Sequence, residues 1–260
     1  MAHKDLADIA AVILAGGLGK RLRPCVGDRP KVLAEIRGRP FLAYLLDQLA
    51  DAGVQRVVFC TGYMGERVKA AFGKSYHSMR LFYSCESSPL GTAGALRLAL
   101  PMFGSDSVLV MNGDSFLDID LSAFLAWHYV HRVKAAMALV GVTDTGRYGC
   151  VDVDARGVVL GFQEKSSTIR PGWINAGIYL IQRSLLLTIP ETGAVSLETE
   201  MLPSWIGRDL YAYKSEGSFL DIGTPEAYAM GERFFSLRLS TPGLCGSSRQ
   251  GERDGEKEDR

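Results

Sequence analysis

The 260-residue sequence lacks several features that mark particular classes of protein. Its five cysteines are scattered, and no CxxC or Cys/His spacing indicates a zinc site or a disulfide framework. No run approaches the roughly 20 apolar residues of a membrane span, and the stretch MAHKDLADIA lacks the apolar core of a signal peptide. We therefore expect a reduced, cytoplasmic protein with no membrane partner.

The sequence also lacks an excess of charge of either sign. Lysine plus arginine and aspartate plus glutamate number 29 each, so no global basic field would recruit nucleic acid. A site for a negatively charged ligand must therefore be local. With 47% apolar residues, the chain has ample material for a buried core.

Histidine is scarce, and no histidine belongs to a recognisable motif. The four are His3, His77, His128 and His131. We expect His128 and His131 to lie on a polar helix face rather than to form a metal pair.

Short apolar runs alternate with amphipathic stretches from residue 9 to about residue 133. Ile9 to Ala15 is a continuous apolar run that ends in glycines, which is typical of a strand buried on both faces of a parallel sheet. Residues 40–53 carry one stripe of apolar side chains at helical spacing, ended by Gly53. This alternation predicts an α/β protein with a doubly wound, Rossmann-like mixed sheet.

The pattern changes after residue 134. AAMALVGV, a hairpin centred on Asp154 to Gly157, and WINAGIYLI predict a half that is richer in antiparallel strands. Residues 226–239 predict a last helix. We expect a single domain over residues 1–240, with halves at about 9–133 and 134–240, and a disordered tail over 241–260.

Glycines and cations are concentrated in AGGLGKRLRPCVGDRPK, which follows the first predicted strand. Open α/β folds bind ligands at this edge of the sheet, and glycine lets backbone N–H groups approach a phosphate. The spacing excludes a Walker loop, which needs glycine at the position of Leu14, and a dinucleotide fingerprint, which needs glycine at that of Leu22. A ligand with several phosphates is expected, because Arg21 and Lys31 flank the loop. A tight turn with a solvated basic surface is the alternative.

The motif LAGGLGKRLRP followed by RPK resembles the signature of the sugar-phosphate nucleotidyltransferases, the pyrophosphorylases that make nucleotide sugars. Six further motifs keep the family's order over about residues 9–235: PLGTAGAL, MNGD, RYG, EK, NAGIY and FLDIGTPEAY. The sequence departs at Cys25 and Val26, where the family commonly has leucine and threonine. The resemblance implies a glycosyltransferase-A-like nucleotidyltransferase fold with an antiparallel-rich sugar-binding half.

The resemblance also implies a Mg²⁺ site formed by Asp114, which follows an apolar strand, and Asp221 in FLDIGTP. Mg²⁺ prefers hard oxygen ligands and is usually held by one or two carboxylates together with substrate phosphates. Taken alone, Asp114 is also explained as a turn residue and Asp221 as the neighbour of a helix cap. The remaining acidic cluster is expected to consist of caps and turn residues: Asp118, Asp120, Asp152 and Asp154.

The nucleotide site implied by the resemblance lies in the first half of the chain. It comprises Leu14, Ala15, Gly16, Gly17, Gly19, Lys20, Arg21, Glu86, Gly91, Thr92, Asn112 and Gly113. We expect Gly91 to open a helix whose free N–H groups and small residues admit a flat base, with the Thr92 hydroxyl at the edge of that base. Glu86 is the candidate for guanine, since a carboxylate accepts hydrogen bonds from both N1–H and the 2-amino group. A surface glutamate is the alternative.

The sugar-phosphate site implied by the resemblance lies in the second half. It comprises Tyr148, Gly149, Glu164, Lys165, Asn175 and Glu198. Lys165 is expected to hold the sugar phosphate, while Glu164 and Asn175 bind sugar hydroxyls. Glu198 is either a further hydroxyl partner or a cap at a helix start.

The implied reaction is in-line attack of a sugar 1-phosphate on the α-phosphorus of a nucleoside triphosphate, with release of pyrophosphate. Catalysis should consist mostly of alignment and charge neutralisation. The expected roles are Arg21 on the pyrophosphate, Lys31 on the α-phosphate and Lys165 on the attacking phosphate. Asp114 and Asp221 complete this catalytic set through Mg²⁺.

ESSPLGTAGAL, SLETE and FLDIGTPEAY most resemble the bacterial guanylyltransferases that act on D-glycero-α-D-manno-heptose 1-phosphate. The implied substrates are GTP and this sugar, and the product is GDP-heptose for capsule or lipopolysaccharide. Related enzymes that use mannose 1-phosphate with GTP, glucose 1-phosphate with dTTP or UTP, or N-acetylmuramate 1-phosphate with UTP are alternatives. A non-catalytic regulator that binds nucleotide sugar and a dehydrogenase are alternatives from other classes. The sequence leaves the oligomeric state open, a homodimer included.

Overall fold

The computed structural model of the protein describes residues 5–17, 19, 21–163 and 170–240. Its strands are β1 (Ala10–Leu14), β2 (Glu35–Ile36), β3 (Arg39–Pro40), β4 (Arg56–Thr61), β5 (Ser75–Tyr76), β6 (Met79–Cys85), β7 (Ser107–Asn112), β8 (Ser115–Leu117), β9 (Ala135–Val142), β10 (Cys150–Val153), β11 (Val159–Gln163), β12 (Gly172–Gln182), β13 (Leu210–Ser215) and β14 (Phe219–Asp221). Its helices are α1 (Arg23–Val26), α2 (Phe41–Asp51), α3 (Gly65–Phe72), α4 (Gly91–Ala99), α5 (Leu121–His131), α6 (Arg183–Leu186), α7 (Leu202–Ser204), α8 (Pro225–Ala229) and α9 (Gly231–Ser240).

Within these described ranges, eight strands form one mixed sheet in the order β13-β9-β12-β7-β1-β4-β6-β5. β1 pairs parallel with β4 on one side and with β7 on the other, whereas β12 is antiparallel to both β7 and β9. The predicted doubly wound mixed sheet is confirmed. Antiparallel pairing after residue 134 is found in β12 and in the β10–β11 hairpin, although β13 pairs parallel with β9.

The apolar run of β1 is continuous because both faces of the sheet are covered. Ala11 and Ile13 pack into the cluster that contains the side chains of α2, while Ala10 and Val12 pack into the cluster on the opposite face. Alternate residues of a strand point to opposite faces, so a strand between two cores has no polar position. The first predicted strand therefore lies at the centre of the molecule.

The predicted last helix is two helices, α8 and α9, separated at Met230. Each helix is tied separately to the hairpin formed by β2 and β3. The Tyr228 hydroxyl donates to the carbonyl of Glu35, and the Glu232 carboxylate accepts from the backbone N–H of Arg37. These two attachments fix the direction of each helix independently, which a continuous helical pattern does not reveal. The predicted tail over 241–260 lies outside the described residues.

The prediction that His128 lies on a polar helix face is wrong. His128 has no exposed surface, and neither ring nitrogen has a hydrogen-bond partner among the described residues. It belongs to the buried stripe of α5 with Leu121, Phe124 and Leu125, at the i, i+3, i+4, i+7 spacing of a core-facing helix. His131 is exposed, and its Nδ1 contacts the carbonyl of Trp127.

Burial lowers the pKa of His128 to about 4, from an ordinary value of 6.5. Between these two values the unfolded chain binds a proton that the folded chain excludes, so stability is lost as the pH falls. We expect the free energy of unfolding to decrease by about 2–3 kcal/mol from this group between pH 7 and pH 4.5. Replacing it by an apolar residue of similar volume, His128→Leu, should remove this part of the decrease in urea unfolding experiments.

The matched control is His131→Gln, which changes an exposed histidine of the same helix. It should keep the full decrease in stability. If the free energy of unfolding falls as much between pH 7 and pH 4.5 in His128→Leu as in the unsubstituted protein, His128 is not the cause of that decrease.

Candidate active site

A cavity of about 710 Å³ opens at the carboxyl ends of β1, β4 and β7. The carboxyl ends of β1 and β7 are linked by a hydrogen bond, in which the N–H of Gly113 donates to the carbonyl of Leu14 at 2.9 Å. The strands on one side of β1 come earlier in the chain than the strands on its other side. The direction of the strand order therefore changes here, and open α/β sheets bind ligands at such a switch point. Eight of the predicted nucleotide-site residues line the cavity: Leu14, Ala15, Gly16, Gly17, Glu86, Gly91, Thr92 and Asn112.

Two other predicted residues of the glycine-rich loop, Gly19 and Arg21, lie beside the cavity. The carbonyl of Gly19 accepts from the N–H groups of Leu22 and Arg23, which closes the turn into α1. Arg21 is exposed, and its positive charge is close enough to Asp221 to oppose, slightly, the rise in the pKa of that carboxyl. Arg21 therefore lies on the acidic side of the site. Lys20 lies outside the described residues.

Three charged side chains meet at one lip of the cavity. Lys31 Nζ donates to Asp114 Oδ2 at 2.7 Å and lies 3.9 Å from Asp221 Oδ1. The pairing of β14 with β8 sets Asp221 opposite Ser115, and the N–H of Ile222 donates to the carbonyl of Asp114. Two three-residue strands thus bring together carboxylates from distant parts of the chain. The alternatives, a turn residue and the neighbour of a helix cap, do not account for this convergence.

The environment of Asp221 favours its neutral form. Burial is the main cause of its raised pKa, and the negative charge of Asp114 adds to it, while Lys31 acts in the opposite direction. A divalent cation bound to both carboxylates would relieve this repulsion. Among the described residues no group of three or more His, Cys, Asp or Glu side chains is placed to hold a metal. Two carboxylates fit Mg²⁺, which leaves its other positions to water and phosphate oxygens.

Asn112, which precedes Asp114 by two residues, also lines the cavity. Its side-chain oxygen is buried and has no hydrogen-bond partner in the described part of the chain. Buried polar atoms are usually paired. This oxygen is therefore an unsatisfied acceptor within the described wall of the cavity.

Glu86 forms the opposite part of the cavity wall. Its Oε2 accepts from the N–H of Leu90 at 3.0 Å. A Cβ added to Gly62 would lie only 2.5 Å from Oε1, so a larger residue there would displace the carboxylate from this position. Glu86 is half-buried, and the alternative of a surface glutamate is wrong.

The start of α4 differs from the prediction in two respects. The N–H groups of Ala93 and Gly94 are not free, because both donate to the carbonyl of Val195. The Thr92 hydroxyl donates to Glu198 Oε2 at 2.6 Å and accepts from the N–H of Leu197 at 2.7 Å. Its single proton is thus directed to a carboxylate, so the hydroxyl would act toward a base as an acceptor and not as a donor.

Glu198 lines the cavity together with Thr92. It lies in a π-helix, Leu197–Met201, whose N-terminus is capped by the Ser196 side chain. The carboxylate that returns to the N–H of Ser196 belongs to Glu200. The alternative explanation of Glu198 as the helix cap is therefore wrong.

The remaining described sugar-site residues lie on two elements: Asn175 in β12, where its pairing with β9 is irregular, and Tyr148 with Gly149 in a turn. Both polar atoms of the Asn175 side-chain amide are hydrogen-bonded: Nδ2 donates to the Tyr179 hydroxyl, and Oδ1 accepts from the N–H of Gly177. Tyr148 is half-buried; burial raises its pKa, and the charge of Asp221 contributes to the rise. Gly149 follows it in a turn whose N–H groups donate to the carbonyl of Thr145. Glu164 and Lys165 lie outside the described residues.

The predicted caps and turns are confirmed for two of the four other aspartates. Asp120 caps α5, and Asp154 accepts from the N–H groups of the following turn. Asp118 instead pairs with Arg238, and Asp152 accepts from Gln163. Arg238 is far from Asp118 in the sequence, whereas Gln163 lies across the β10–β11 hairpin from Asp152; local turn rules detect neither contact.

Several lining residues were not predicted, Tyr63, Ser87 and Ser88 among them. They follow β4 and β6 directly. The rule that ligands bind beyond the carboxyl ends of parallel strands would have identified both segments. Tyr63 also connects the cavity wall to the glycine-rich loop, since Arg23 donates to its hydroxyl at 2.6 Å.

Comparison with known proteins agrees with the geometry of the site. The nucleotidyl transferase family model matches residues 10–236. The chain belongs to this family. The predicted resemblance is thereby confirmed, and the dehydrogenase alternative is excluded.

Individual relatives of this nucleotidyl transferase fall into two length classes. It is 34% identical to a mannose-1-phosphate guanylyltransferase of Mycobacterium tuberculosis over 86% of its own chain, but spans only 63% of that protein. It is also 34% identical to a D-glycero-α-D-manno-heptose 1-phosphate guanylyltransferase of Aneurinibacillus thermoaerophilus and spans 96% of it. The crystal structure of HddC from Yersinia pseudotuberculosis complexed with GMP-PN matches with a TM-score of 0.79 and 32% identity, covering 87% of this chain and 99% of HddC.

Two further features of this nucleotidyl transferase follow from the described residues. None of the helices that they form has the length and apolar character needed to cross a membrane. The four described cysteines, Cys25, Cys60, Cys85 and Cys150, are free thiols.

We expect Asp221, which is proposed to bind the metal together with Asp114, to lower the stability of the metal-free protein. Because the fold raises the pKa of Asp221, the folded chain gives up this proton less readily than the unfolded chain. The group therefore lowers stability as the pH rises from its ordinary pKa of 3.8 through the raised value. Asp221→Asn should raise the Tm of the nucleotidyl transferase at pH 7 in a chelator, and this gain should disappear at acid pH.

In the presence of Mn²⁺ or Mg²⁺ the relation between the two Tm values should change, because a metal that binds to the folded state stabilises it. The Tm of the unsubstituted protein should then rise more than that of Asp221→Asn. The control is Asp209→Asn, which alters an aspartate paired with Lys134. A Tm for Asp221→Asn at or below that of the unsubstituted protein, at pH 7 in a chelator, would count against the account.

Proposed function

We propose that the chain transfers GMP from GTP to a sugar 1-phosphate and releases pyrophosphate. The first candidate for the acceptor is D-glycero-α-D-manno-heptose 1-phosphate, which would give GDP-heptose. The observation that carries the proposal is the meeting of Lys31, Asp114 and Asp221 at the lip of a cavity whose wall includes Glu86. The heptose acceptor is supported by relatives that the chain spans over 96% of their length.

Glu86 is the proposed guanine-recognition residue. Its Oε2 is oriented by the N–H of Leu90, so the direction of the carboxylate is fixed before a base arrives. Guanine has two adjacent donors, N1–H and the 2-amino group, whereas thymine and uracil have only N3–H. A fixed carboxylate in the cavity wall therefore favours GTP over dTTP or UTP.

The phosphates would occupy the glycine-rich side of the cavity. Asp114 and Asp221 would hold Mg²⁺, which supplies positive charge to the phosphate oxygens. Lys31 Nζ has three N–H donors, of which one is directed to Asp114; we assign the others to the α-phosphate. Arg21 is assigned to the departing pyrophosphate, and Gly16 and Gly17 to close backbone contact with the phosphates.

The acceptor would enter from the side of Asn175, Tyr148 and Glu198. Lys165 and Glu164 keep their proposed roles toward the sugar phosphate and a sugar hydroxyl. A phosphate oxygen forms the new bond to the α-phosphorus while the bond to the bridging oxygen of pyrophosphate breaks. The sugar phosphate is already an anion at neutral pH, so no base on the protein is required, and the side chains act by alignment and neutralisation.

Mannose 1-phosphate is the second candidate acceptor. The mycobacterial mannose relative is equally similar in sequence, at 34% identity. The chain spans only 63% of that relative, which makes the heptose acceptor the first choice. A cytoplasmic location and a role in capsule or lipopolysaccharide synthesis remain predictions of the sequence resemblance.

The direct test is release of pyrophosphate in a matrix of nucleoside triphosphates and sugar 1-phosphates. The triphosphates are GTP, dTTP and UTP, and the sugars are the heptose, mannose, glucose and N-acetylmuramate 1-phosphates. We expect the largest kcat/KM for GTP with the heptose. A maximum with dTTP or UTP would contradict the role of Glu86, and no release from any pair would favour a non-catalytic nucleotide-sugar-binding protein.

The control for this matrix is Lys31→Ala, which should lower kcat/KM by about a hundredfold, the loss typical for one preorganised charge. Lys134→Ala is the matched variant, since this lysine pairs with Asp209 in a separate part of the structure. It should retain normal turnover. Near-normal turnover by folded Lys31→Ala would contradict the proposed centre.

A further inference from the structure

Thr92 is the hub of a hydrogen-bond network between the two halves of the chain. Its hydroxyl accepts from the N–H of Leu197 at 2.7 Å and donates to Glu198 Oε2 at 2.6 Å. Thr92 and Glu198 are 106 residues apart in the sequence. The bond to the carboxylate is charge-assisted, which places it among the stronger hydrogen bonds in proteins.

The backbone around Thr92 is locked to the same segment. The N–H of Val195 donates to the carbonyl of Leu90, and the carbonyl of Val195 accepts from Ala93 and Gly94. Gly91 has φ +72°, and a Cβ there would lie 2.4 Å from the Val195 carbonyl oxygen. The first turn of α4 therefore has one fixed position relative to residues 195–198.

Among the described residues, Glu198 Oε1 has no hydrogen-bond partner. Oε2 accepts from Thr92 and more weakly from Ser196 Oγ at 3.4 Å. The residue is half-buried in the cavity wall, which also contains Asp114. Its position in a π-helix, which is a rare element frequently found at functional sites, sets the carboxylate apart from an ordinary surface glutamate.

We propose that Thr92 is a positioning residue that orients Glu198, so that Glu198 Oε1 accepts a hydrogen bond from one hydroxyl of the bound sugar. This role rests on the proposed function. Thr92 lies at the start of α4 on the nucleotide side of the cavity, whereas Glu198 acts on the sugar. The hydroxyl of Thr92 thus joins the two substrate sites without itself contacting either reacting phosphate.

The test is a double-mutant cycle with Thr92→Val and Glu198→Ala, in which the KM for the sugar 1-phosphate and for GTP is measured separately. Thr92→Val keeps the shape of the side chain and removes its hydroxyl. We expect a rise of about tenfold in the sugar KM, as for loss of a hydrogen bond to a charged group, with the GTP KM changed by less than about twofold. Thr92→Ser, which restores the hydroxyl, should return the sugar KM to within about twofold of normal.

The double variant separates positioning from a general structural role. If Thr92 acts through Glu198, Thr92→Val should add little to the sugar KM once Glu198→Ala is present. Thr188→Val is the control, because its hydroxyl bonds to the carbonyl of Leu185 and has no link to Glu198. It should leave both KM values unchanged.

The outcomes distinguish this role from the proposed function. Turnover with an unchanged sugar KM in Thr92→Val, or full additivity with Glu198→Ala, would overturn the role of Thr92 alone. A matching rise in the GTP KM would overturn it as well, because it would indicate a general disturbance of α4. No turnover by the unsubstituted protein with any sugar 1-phosphate would overturn the proposed function and this role together.

Discussion

The ion cluster of Lys31, Asp114 and Asp221 is the constraint on which the rest of the site depends. Two carboxylates that share a partly buried position repel each other, and each loses hydration on burial. The Lys31 side chain is only 11% exposed, and its ammonium group compensates at 2.7 Å from one carboxylate and 3.9 Å from the other. Each side chain comes from a different segment of the chain, so the cluster forms only when β8 and β14 are paired and Lys31 is positioned beside them.

A second constraint fixes the two halves of the chain relative to each other. The start of α4 contributes to the wall of the cavity, and the N–H groups of Ala93 and Gly94 donate to the carbonyl of Val195 from the second half. Backbone N–H groups at a helix start are common binding groups for ligands, but these two serve the fold. They hold the first turn of α4 as a fixed part of the cavity wall.

The sequence predicted the central elements because their patterns are local and strong. β1 and α2 have clear periods, and the alternation of strands and helices indicated the doubly wound sheet. The β8–β14 pair has only three residues in each strand, which is too short for a periodic signal. The pairing of Asp114 with Asp221 was therefore reached only through the family resemblance.

Two errors have different physical origins. His128 was assigned by residue type to a polar face, although its i+7 spacing from Leu121 already indicated the core. The hydrogen bond from the Thr92 hydroxyl to Glu198 could not be predicted, because the two residues are 106 positions apart and no local rule identifies a contact across the fold. Lys20, Glu164 and Lys165 lie outside the described residues, and their roles stay predictions.

The central claim is that Asp114 and Asp221 share one divalent cation beside the phosphates of a nucleotide. The most direct measurement is anomalous diffraction from crystals grown with Mn²⁺ and a non-hydrolysable GTP analogue. The account predicts a manganese peak within about 2.0–2.3 Å of an oxygen of each aspartate, the range of hard-cation ligand distances, and bound also to a phosphate oxygen. A manganese ion bound by the phosphates alone, with Asp114 and Asp221 both still paired with Lys31, would contradict it.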